Sequence, residues 1–157
     1  MGLEPREMPD DDSHPTVAVA ESCTGGLLMA RIVATPTSGD WFIGGLVAYH
    51  AETKFDLLGV EPGPVVTARA AEQMAEGVRQ LLRADVGIST TGVAGPETEE
   101  GVPVGTVFVG VADGGAVQSH RLRLEGDPDE IRERAVDFAV AQLQGTGRKP
   151  QDPHGND

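Results

Sequence analysis

The sequence predicts an α/β domain, a three-layer α/β/α sandwich whose mixed, mostly parallel sheet contains a hairpin. Short apolar runs alternate with segments of helical apolar spacing between residues 16 and 144, a pattern typical of a sheet covered by helices on both faces. Towards the carboxyl terminus, a run at 104–112 leads through Gly114-Gly115 into a run at 116–124, which indicates a tight hairpin.

The first five predicted elements are two strands and three helices. In chain order they are a strand at 16–20, a helix at 24–33, a strand at 44–49, a helix at 51–58 and a helix at 68–83. Gly59 is typical of a left-handed cap that ends the second helix, and Thr67 is typical of a residue that caps the start of the third. Apolar residues recur at helical spacing in that third helix, and they are Ala71, Met74, Val78, Leu81 and Leu82.

The remaining elements are three strands and a final helix. Residues 86–90 form a strand that ends in a loop of small residues. The run at 104–112 is almost wholly apolar, which predicts burial on both faces, whereas 116–124 alternates and is predicted to be an edge strand. The helix at 128–143 begins with a capping Asp, a Pro at the first helical position and a Glu three residues after the cap. Its predicted buried residues are Ile131, Ala135, Phe138 and Leu143.

Composition limits the class of partner. The 157 residues suit one domain with its own core. A formal net charge of −13 argues against nonspecific binding to nucleic acid or to an anionic membrane, because the overall field repels polyanions. The 25 acidic side chains against 12 basic ones fit either a halophile-like protein kept soluble in high salt or an acidic protein with charged tails.

The ends of the chain differ from its middle. Residues 1–15 are rich in Pro and Asp and are predicted to be a disordered acidic arm, and residues 145–157 are predicted to be a flexible tail. The folded unit is therefore predicted to be 16–144. No apolar stretch approaches the length of a membrane span, and the amino terminus has no signal-peptide core. A single cysteine cannot form an internal disulfide, which fits a cytoplasmic location.

The segment from Glu21 to Gly26 is the first candidate for chemistry. It joins the first predicted strand to the first helix, where unpaired N–H groups and the helix dipole attract anions. Ser22 is a candidate nucleophile in this turn, although a serine at such a position also serves as a helix cap. Cys23 is the rival nucleophile, although a lone cysteine beside a strand is commonly a small buried apolar residue.

A serine nucleophile needs a base, and two side chains are candidates. Of the four histidines only His50 is placed for the role, since His14 and His154 lie in the arms and His120 lies on the outer strand. Lys54 follows His50 by one helical turn, and a partly buried lysine can lose its proton at neutral pH. The alternative is an ordinary solvated lysine on a helix.

The loop from Thr90 to Pro96 is a third candidate, because small residues after a strand allow a ligand to approach the backbone. The alternative is a plain turn. The chain carries neither a Walker motif nor a dinucleotide fingerprint with the expected spacing, and no His, Cys and Asp residues have metal-ligand spacing. The sequence therefore predicts no cofactor and no metal.

Together these segments resemble a known family. The matching stretches run from Ala20 to Gly26, from Trp41 to Tyr49 with Lys54, from Thr91 to Pro96 and from Pro103 to Val107. In this order and spacing they resemble the C-terminal domain of the competence/damage-inducible CinA proteins. That domain also occurs alone as the nicotinamide-nucleotide amidohydrolase PncC.

The resemblance implies hydrolysis of the carboxamide of nicotinamide mononucleotide to nicotinate mononucleotide and ammonia, a step of pyridine nucleotide salvage without a metal. It implies that Ser22 is the nucleophile, that Lys54 is its base and that Tyr49 supports them by hydrogen bonding. It also implies a homo-oligomer, taken to be a dimer. The substrate and its phosphate would meet N–H donors and a cation drawn from Thr24, Gly25, Gly26, Thr91, Gly92, Ala94, Gly95 and Arg132.

The chain departs from the family pattern in three places. Gly39 stands where the family has a serine thought to lie near the active site, the arm replaces a helix before the first strand, and Pro128 replaces an arginine. The sequence therefore leaves two alternatives to an enzymatic function. One is a non-catalytic nucleotide-binding domain, and the other is an interaction module for a separately encoded partner.

Overall fold

The computed structural model describes residues 14–144, so most of the predicted acidic arm and all of the predicted tail lie outside the described residues. The described chain forms five strands and four α-helices. In chain order they are β1 Val17–Glu21, α1 Leu27–Val33, β2 Phe42–Val47, α2 Ala51–Leu58, α3 Ala68–Leu81, β3 Val86–Gly92, β4 Thr106–Ala112, β5 Val117–Arg123 and α4 Pro128–Gln144. A short 3-10 turn, Ser38–Asp40, precedes β2.

The strands form one sheet in the order β2-β1-β3-β4-β5. β1 pairs in parallel with both β2 and β3, while β4 is antiparallel to β3 and to β5. The predicted mixed sheet and its hairpin are thus confirmed. Because β1, β2 and β3 run in the same direction, the segments that follow them meet at one edge of the sheet.

Helices cover both faces of the sheet. The alternation along β1 shows this directly, since Val17 and Val19 belong to the core that includes residues of α1 and α4, whereas Ala18 and Ala20 belong to the core formed with α2 and α3. Every residue of β1, β3 and β4 is buried, and β5 alternates between exposed and half-buried positions. The predictions of a doubly buried β4 and an outer β5 are therefore confirmed.

Three predicted helix ends are also present. The Thr67 hydroxyl accepts a hydrogen bond of 3.0 Å from the Ala70 N–H, and Gly59 adopts a left-handed φ of 67° after α2. At the start of α4, Asp127 Oδ1 accepts the Glu130 N–H at 2.9 Å. None of the helices in the described range has the combination of length and hydropathy that a bilayer span requires.

Three details of the helices differ from the sequence predictions. α1 begins at Leu27 and not at residue 24, because Gly25 and Gly26 have φ values of 56° and 105°, which no helical residue adopts. Leu81 lies at the end of α3 and is 46% exposed, so the apolar stripe of that helix ends before it. Phe138 is only half-buried against the core of α1 and α4.

Candidate active site

The Ser22 turn lies at the carboxyl end of β1, inside the parallel part of the sheet. The Ser22 N–H donates to the Thr90 carbonyl at 3.0 Å, and the Ser22 carbonyl accepts from the Gly25 N–H at 3.0 Å. The side chain is 7% exposed, and its Oγ makes no hydrogen bond within residues 14–144. Gly26 is the residue that caps α1, without any side-chain bond, so the interpretation of Ser22 as a helix cap is wrong.

The start of α1 already holds an anion. Glu21 is fully buried, and its Oε1 and Oε2 accept the N–H groups of Leu28 at 2.8 Å and Met29 at 3.0 Å. These donors are therefore not available to a ligand. Sequence spacing does not indicate this contact, since Glu21 lies seven residues before Leu28 and outside the usual capping positions.

Other N–H groups of the turn remain unused. Of the predicted donors, Gly25 is committed to the Ser22 carbonyl. The N–H groups of Thr24 and Gly26 donate to no acceptor in the described part of the chain. Backbone donors grouped next to a serine hydroxyl can stabilise an oxyanion that forms on an attacked carbonyl.

Lys54 is buried, although it belongs to a short helix at the surface. Its side chain is 1% exposed, and Nζ donates to the carbonyl oxygens of Ala48 at 2.7 Å and Tyr49 at 3.2 Å. The interpretation as a solvated helix lysine is therefore wrong. Burial lowers the pKa of the Lys54 ammonium, an effect that Cys23, Glu99 and Glu100 partly oppose.

Ala48 connects the lysine to the serine turn. Its N–H donates to the Glu21 carbonyl at 2.7 Å, and its own carbonyl accepts from Lys54 Nζ. Ala48 is thus bonded both to the lysine and to the peptide that leads into Ser22. Lys54 and Cys23 also influence each other electrostatically, in agreement with this proximity.

Tyr49 and His50 follow β2 near the lysine. The Tyr49 contact with Lys54 is made by the backbone carbonyl, and the Tyr49 side chain is 70% exposed. His50 is exposed and caps α2, where its Nδ1 accepts the Glu52 N–H at 3.4 Å. Of the two candidate bases, only the lysine is buried beside the turn.

The small residues from Thr90 to Pro96 reach the same edge of the sheet. Thr91 and Gly92 belong to β3, which extends two residues beyond the predicted strand end at residue 90, and the loop begins after them. The Thr91 hydroxyl donates to the Val65 carbonyl at 2.8 Å, so it fixes a neighbouring loop. A Cβ at Gly92 would lie 2.6 Å from the Thr106 carbonyl oxygen, so only glycine fits there. Ala94 is 7% exposed, and Gly95 has a φ of 90° before a cis bond to Pro96. Ala94 shares a core cluster with Cys23, and the Thr90 carbonyl accepts the Ser22 N–H, so this segment begins beside the Ser22 turn.

Arg132 of α4 brings a cation to the turn. Its Nε donates to the Cys23 carbonyl at 3.2 Å, and one terminal nitrogen pairs with Asp129 at 3.2 Å. The side chain is 32% exposed, so part of the guanidinium faces outwards. The predicted arginine is thus next to the candidate nucleophile.

Two acidic residues near the site were missed from sequence. The Glu100 carboxylate accepts the N–H groups of Val65 at 2.9 Å and Val66 at 3.0 Å, which ties the loop after β3 to the segment before α3. Glu99 and Glu100 both favour the charged form of Lys54, so they lie on its side of the site. Neither has a sequence pattern that reveals this role. Among residues 14–144, His, Cys, Asp and Glu side chains form no group of three that could hold a metal ion.

Gly39 lies away from this site. It is part of the Ser38–Asp40 turn, and the following Trp41 carbonyl accepts the N–H of Val17 at the beginning of β1. The five residues of β1 separate that edge from Ser22 by roughly 15 Å. A Cβ at residue 39 would contact nothing within 4 Å. The departure from the family pattern is therefore at the opposite edge of the sheet from Ser22 of the same chain.

Cys23 is expected to be unreactive in the folded protein. It is 8% exposed, and burial raises the pKa of its thiol to about 12, so only about one molecule in ten thousand carries a thiolate at pH 8. We expect Ellman's reagent to label the native chain at least about 100-fold more slowly than the chain in guanidinium chloride. Rapid labelling of the native protein would show that the thiol is accessible and ionised.

Known proteins that are similar to this chain share one family description. A family model described as the CinA C-terminal domain matches residues 11–146. The CinA-like proteins of Frankia casuarinae and Synechocystis sp. are 45% and 50% identical over 130 and 119 residues, which cover 80% and 71% of this chain. These stretches span only 30% and 28% of the relatives' own lengths.

Solved structures show the same fold. A competence-damaged protein (CinA) superfamily protein from Klebsiella pneumoniae has a TM-score of 0.80 at 33% identity, over 83% of this chain and 86% of that one. The competence/damage inducible protein CihA from Agrobacterium tumefaciens has a TM-score of 0.80 at 31% identity, over 85% and 86% of the two chains. The chain therefore belongs to the family of CinA C-terminal domains.

Proposed function

We propose that this domain is an amide hydrolase that converts nicotinamide mononucleotide to nicotinate mononucleotide and ammonia. The observation that carries the proposal is the pairing of an unbonded serine hydroxyl with a buried lysine. Ser22 has no hydrogen-bond partner for Oγ in the described chain, and Lys54 is held beside the same turn with a lowered pKa. A hydroxyl nucleophile and an amine that can accept its proton are the groups that amide hydrolysis needs.

The reaction would proceed through an acyl-enzyme. Neutral Lys54 accepts the hydroxyl proton while Ser22 Oγ attacks the carboxamide carbon. The oxyanion that forms is stabilised by backbone N–H groups left free in the turn, those of Thr24 and Gly26. The lysine then gives its proton to the departing ammonia, and a water molecule, activated by the same lysine, hydrolyses the ester to free the acid.

The charges around the turn suit the nucleotide. Arg132 offers a partly exposed guanidinium for the phosphate, whereas Glu21 closes the start of α1 to that group. Glu99 and Glu100 place negative charge on the lysine side of the site, where the pyridinium ring would carry positive charge. A substrate with a cationic ring at one end and a phosphate at the other matches this arrangement.

The direct test is to incubate the full chain with nicotinamide mononucleotide, at low and at high salt, and to measure ammonia and nicotinate mononucleotide. We expect both products in equal amounts, and slower release from nicotinamide riboside and from nicotinamide. Absence of both products under both salt conditions would overturn the proposal. Nucleotide binding without turnover would indicate the non-catalytic binding domain instead.

Replacing Arg132 with Gln is expected to weaken phosphate recognition. A hydrogen bond to a charged group contributes about 1.5–3 kcal/mol, so KM for the mononucleotide should rise about 10- to 100-fold with kcat within about 3-fold. The riboside lacks the phosphate and should show no change in KM. Arg134→Gln is the matched control, since Arg134 is on the same helix and, among residues 14–144, makes only a surface pair with Glu130. An equal KM increase for the riboside would contradict a phosphate contact.

A further inference from the structure

We propose that Glu21 is a positioning residue for Ser22. The effect of Glu21 on kcat rests on the proposed function, whereas its effect on the conformation of the turn does not. Glu21 is the last residue of β1, and Ser22 follows it directly. Its side chain reaches over the turn to the first residues of α1. The carboxylate thereby joins the strand before the nucleophile to the helix after it.

Both oxygens of the Glu21 carboxylate accept hydrogen bonds from the turn and from α1. Oε1 accepts the Thr24 hydroxyl at 2.6 Å and the Leu28 N–H at 2.8 Å, and Oε2 accepts the Met29 N–H at 3.0 Å. All three donors lie in the turn or in α1, and the side chain is 0% exposed. Described arginine and lysine side chains make no salt bridge with it, so these donors and the helix dipole stabilise the buried charge.

Thr24 extends the set to the neighbouring strand. Its hydroxyl lies 2.7 Å from the Thr90 hydroxyl, and because it donates to Glu21, it accepts from Thr90. The backbone adds a second connection at this point, since the Ser22 N–H donates to the Thr90 carbonyl. Ser22 and Cys23 are thus the two residues between fixed points at Glu21 and Thr24. This holds the Ser22 side chain and the unused N–H groups in one orientation at the site.

A glutamine at position 21 would keep the shape of the side chain but not its bonding. Its amide oxygen can replace only one carboxylate oxygen, and its NH₂ group would face an N–H donor at the other. The turn would lose one anchor and the helix start would lose its negative charge. We expect Glu21→Gln to lower kcat about 10- to 100-fold while KM changes less than about 3-fold, since bound substrate contacts Ser22 and not Glu21.

Cys23 gives a readout that is independent of the substrate, because it is the single cysteine of the chain and lies in the turn itself. In Glu21→Gln, the rate at which Ellman's reagent labels Cys23 in native buffer should rise at least about 10-fold. This rate should not increase further in low denaturant, because the turn opens locally and the protein does not unfold globally. Hydrogen exchange of the Leu28 and Met29 amides should accelerate in parallel. Glu130→Gln is the matched control, since Glu130 is a carboxylate at the start of α4 and belongs to that helix's own cap.

Thr24 supplies a second pair of variants that tests the same network if Glu21→Gln does not fold. Thr24→Val removes only the hydroxyl between Glu21 and Thr90, so Cys23 labelling and amide exchange should accelerate as they do in Glu21→Gln. Thr24→Ser keeps the hydroxyl and should show the wild-type rates. Unchanged labelling and exchange in Glu21→Gln and Thr24→Val would overturn the positioning role. If the wild-type chain does not deamidate the mononucleotide, the proposed function fails, yet the labelling and exchange results still decide the role of Glu21.

Discussion

Replacing Ser22 with alanine is expected to abolish ammonia release from nicotinamide mononucleotide, with kcat at least about 10⁴-fold lower. The fold should be unaffected. Ser22 Oγ makes no hydrogen bond within residues 14–144, so its removal leaves no buried group unpaired, and the change in unfolding free energy should stay within about 0.5 kcal/mol. Ammonia release and urea denaturation of the same preparation measure the two effects.

A second buried serine, Ser89, is the control, because its replacement is expected to change stability and not activity. Ser89 on β3 is fully buried, and its hydroxyl donates to the Ala71 carbonyl of α3 on the other side of the sheet from α1. Ser89→Ala should lower the unfolding free energy by about 1 kcal/mol and leave kcat unchanged. Wild-type turnover in Ser22→Ala would remove this serine from the mechanism, whatever the outcome for Ser89.

The order of the elements could be predicted because each has a strong local pattern. The apolar run of β4 indicated a strand buried on both faces, and the Asp127 cap with Pro and Glu placed the start of α4. The start of α1 was misplaced because its N-terminal donors are bonded by Glu21, a side chain from the preceding strand. Cap residues are recognised by their spacing in sequence, and this one has no such spacing.

The burial of Lys54 could have been predicted from α2 alone. Lys54 lies four residues before Leu58, and these two are the buried residues of α2. This is the spacing of one helical face, so the lysine occupies a position that would otherwise take an apolar residue. A solvated lysine would lie on the other face.

The positions of Gly39 and Glu100 could not be predicted in the same way. Gly39 is close to β2 in sequence, but β2 runs parallel to β1, so its beginning is at the edge opposite Ser22. Glu100 acts through a carboxylate that reaches a segment 34 residues away. Both depend on how strands and loops are arranged in space, which local periodicity does not contain.

Replacing Lys54 with methionine is expected to lower kcat at least about 10³-fold without loss of stability. Methionine fills a similar volume, and it removes an ammonium that is buried with only carbonyl partners from Ala48 and Tyr49. Removing the buried charge relieves its desolvation cost, which offsets the about 1–3 kcal/mol lost when the Ala48 carbonyl loses its donor. Lys54→Arg is the matched control for charge, because a guanidinium keeps the positive charge but cannot act as a base. It should be as inactive as the methionine variant, and an active variant of either kind would exclude a lysine base.

The pH dependence of stability tests the lowered pKa of Lys54 separately from activity. Burial lowers the folded-state pKa below its ordinary value of 10.5, so between these two values the unfolded chain binds a proton that the folded chain does not. The Lys54 contribution to the free energy of unfolding therefore rises with pH through that window, and below the folded pKa the whole cost of burying the charge remains. The raised pKa of Cys23 makes a contribution of opposite sign, which is present in both the wild type and Lys54→Met and cancels in their comparison. Lys54→Met should lack this rise and should gain most over the wild type at the lower pH values. Urea denaturation of both proteins across the alkaline range measures the difference, and parallel curves would contradict a lowered pKa.

In the wild type, kcat should rise through the same folded-state pKa, because only the neutral amine can accept the proton of Ser22.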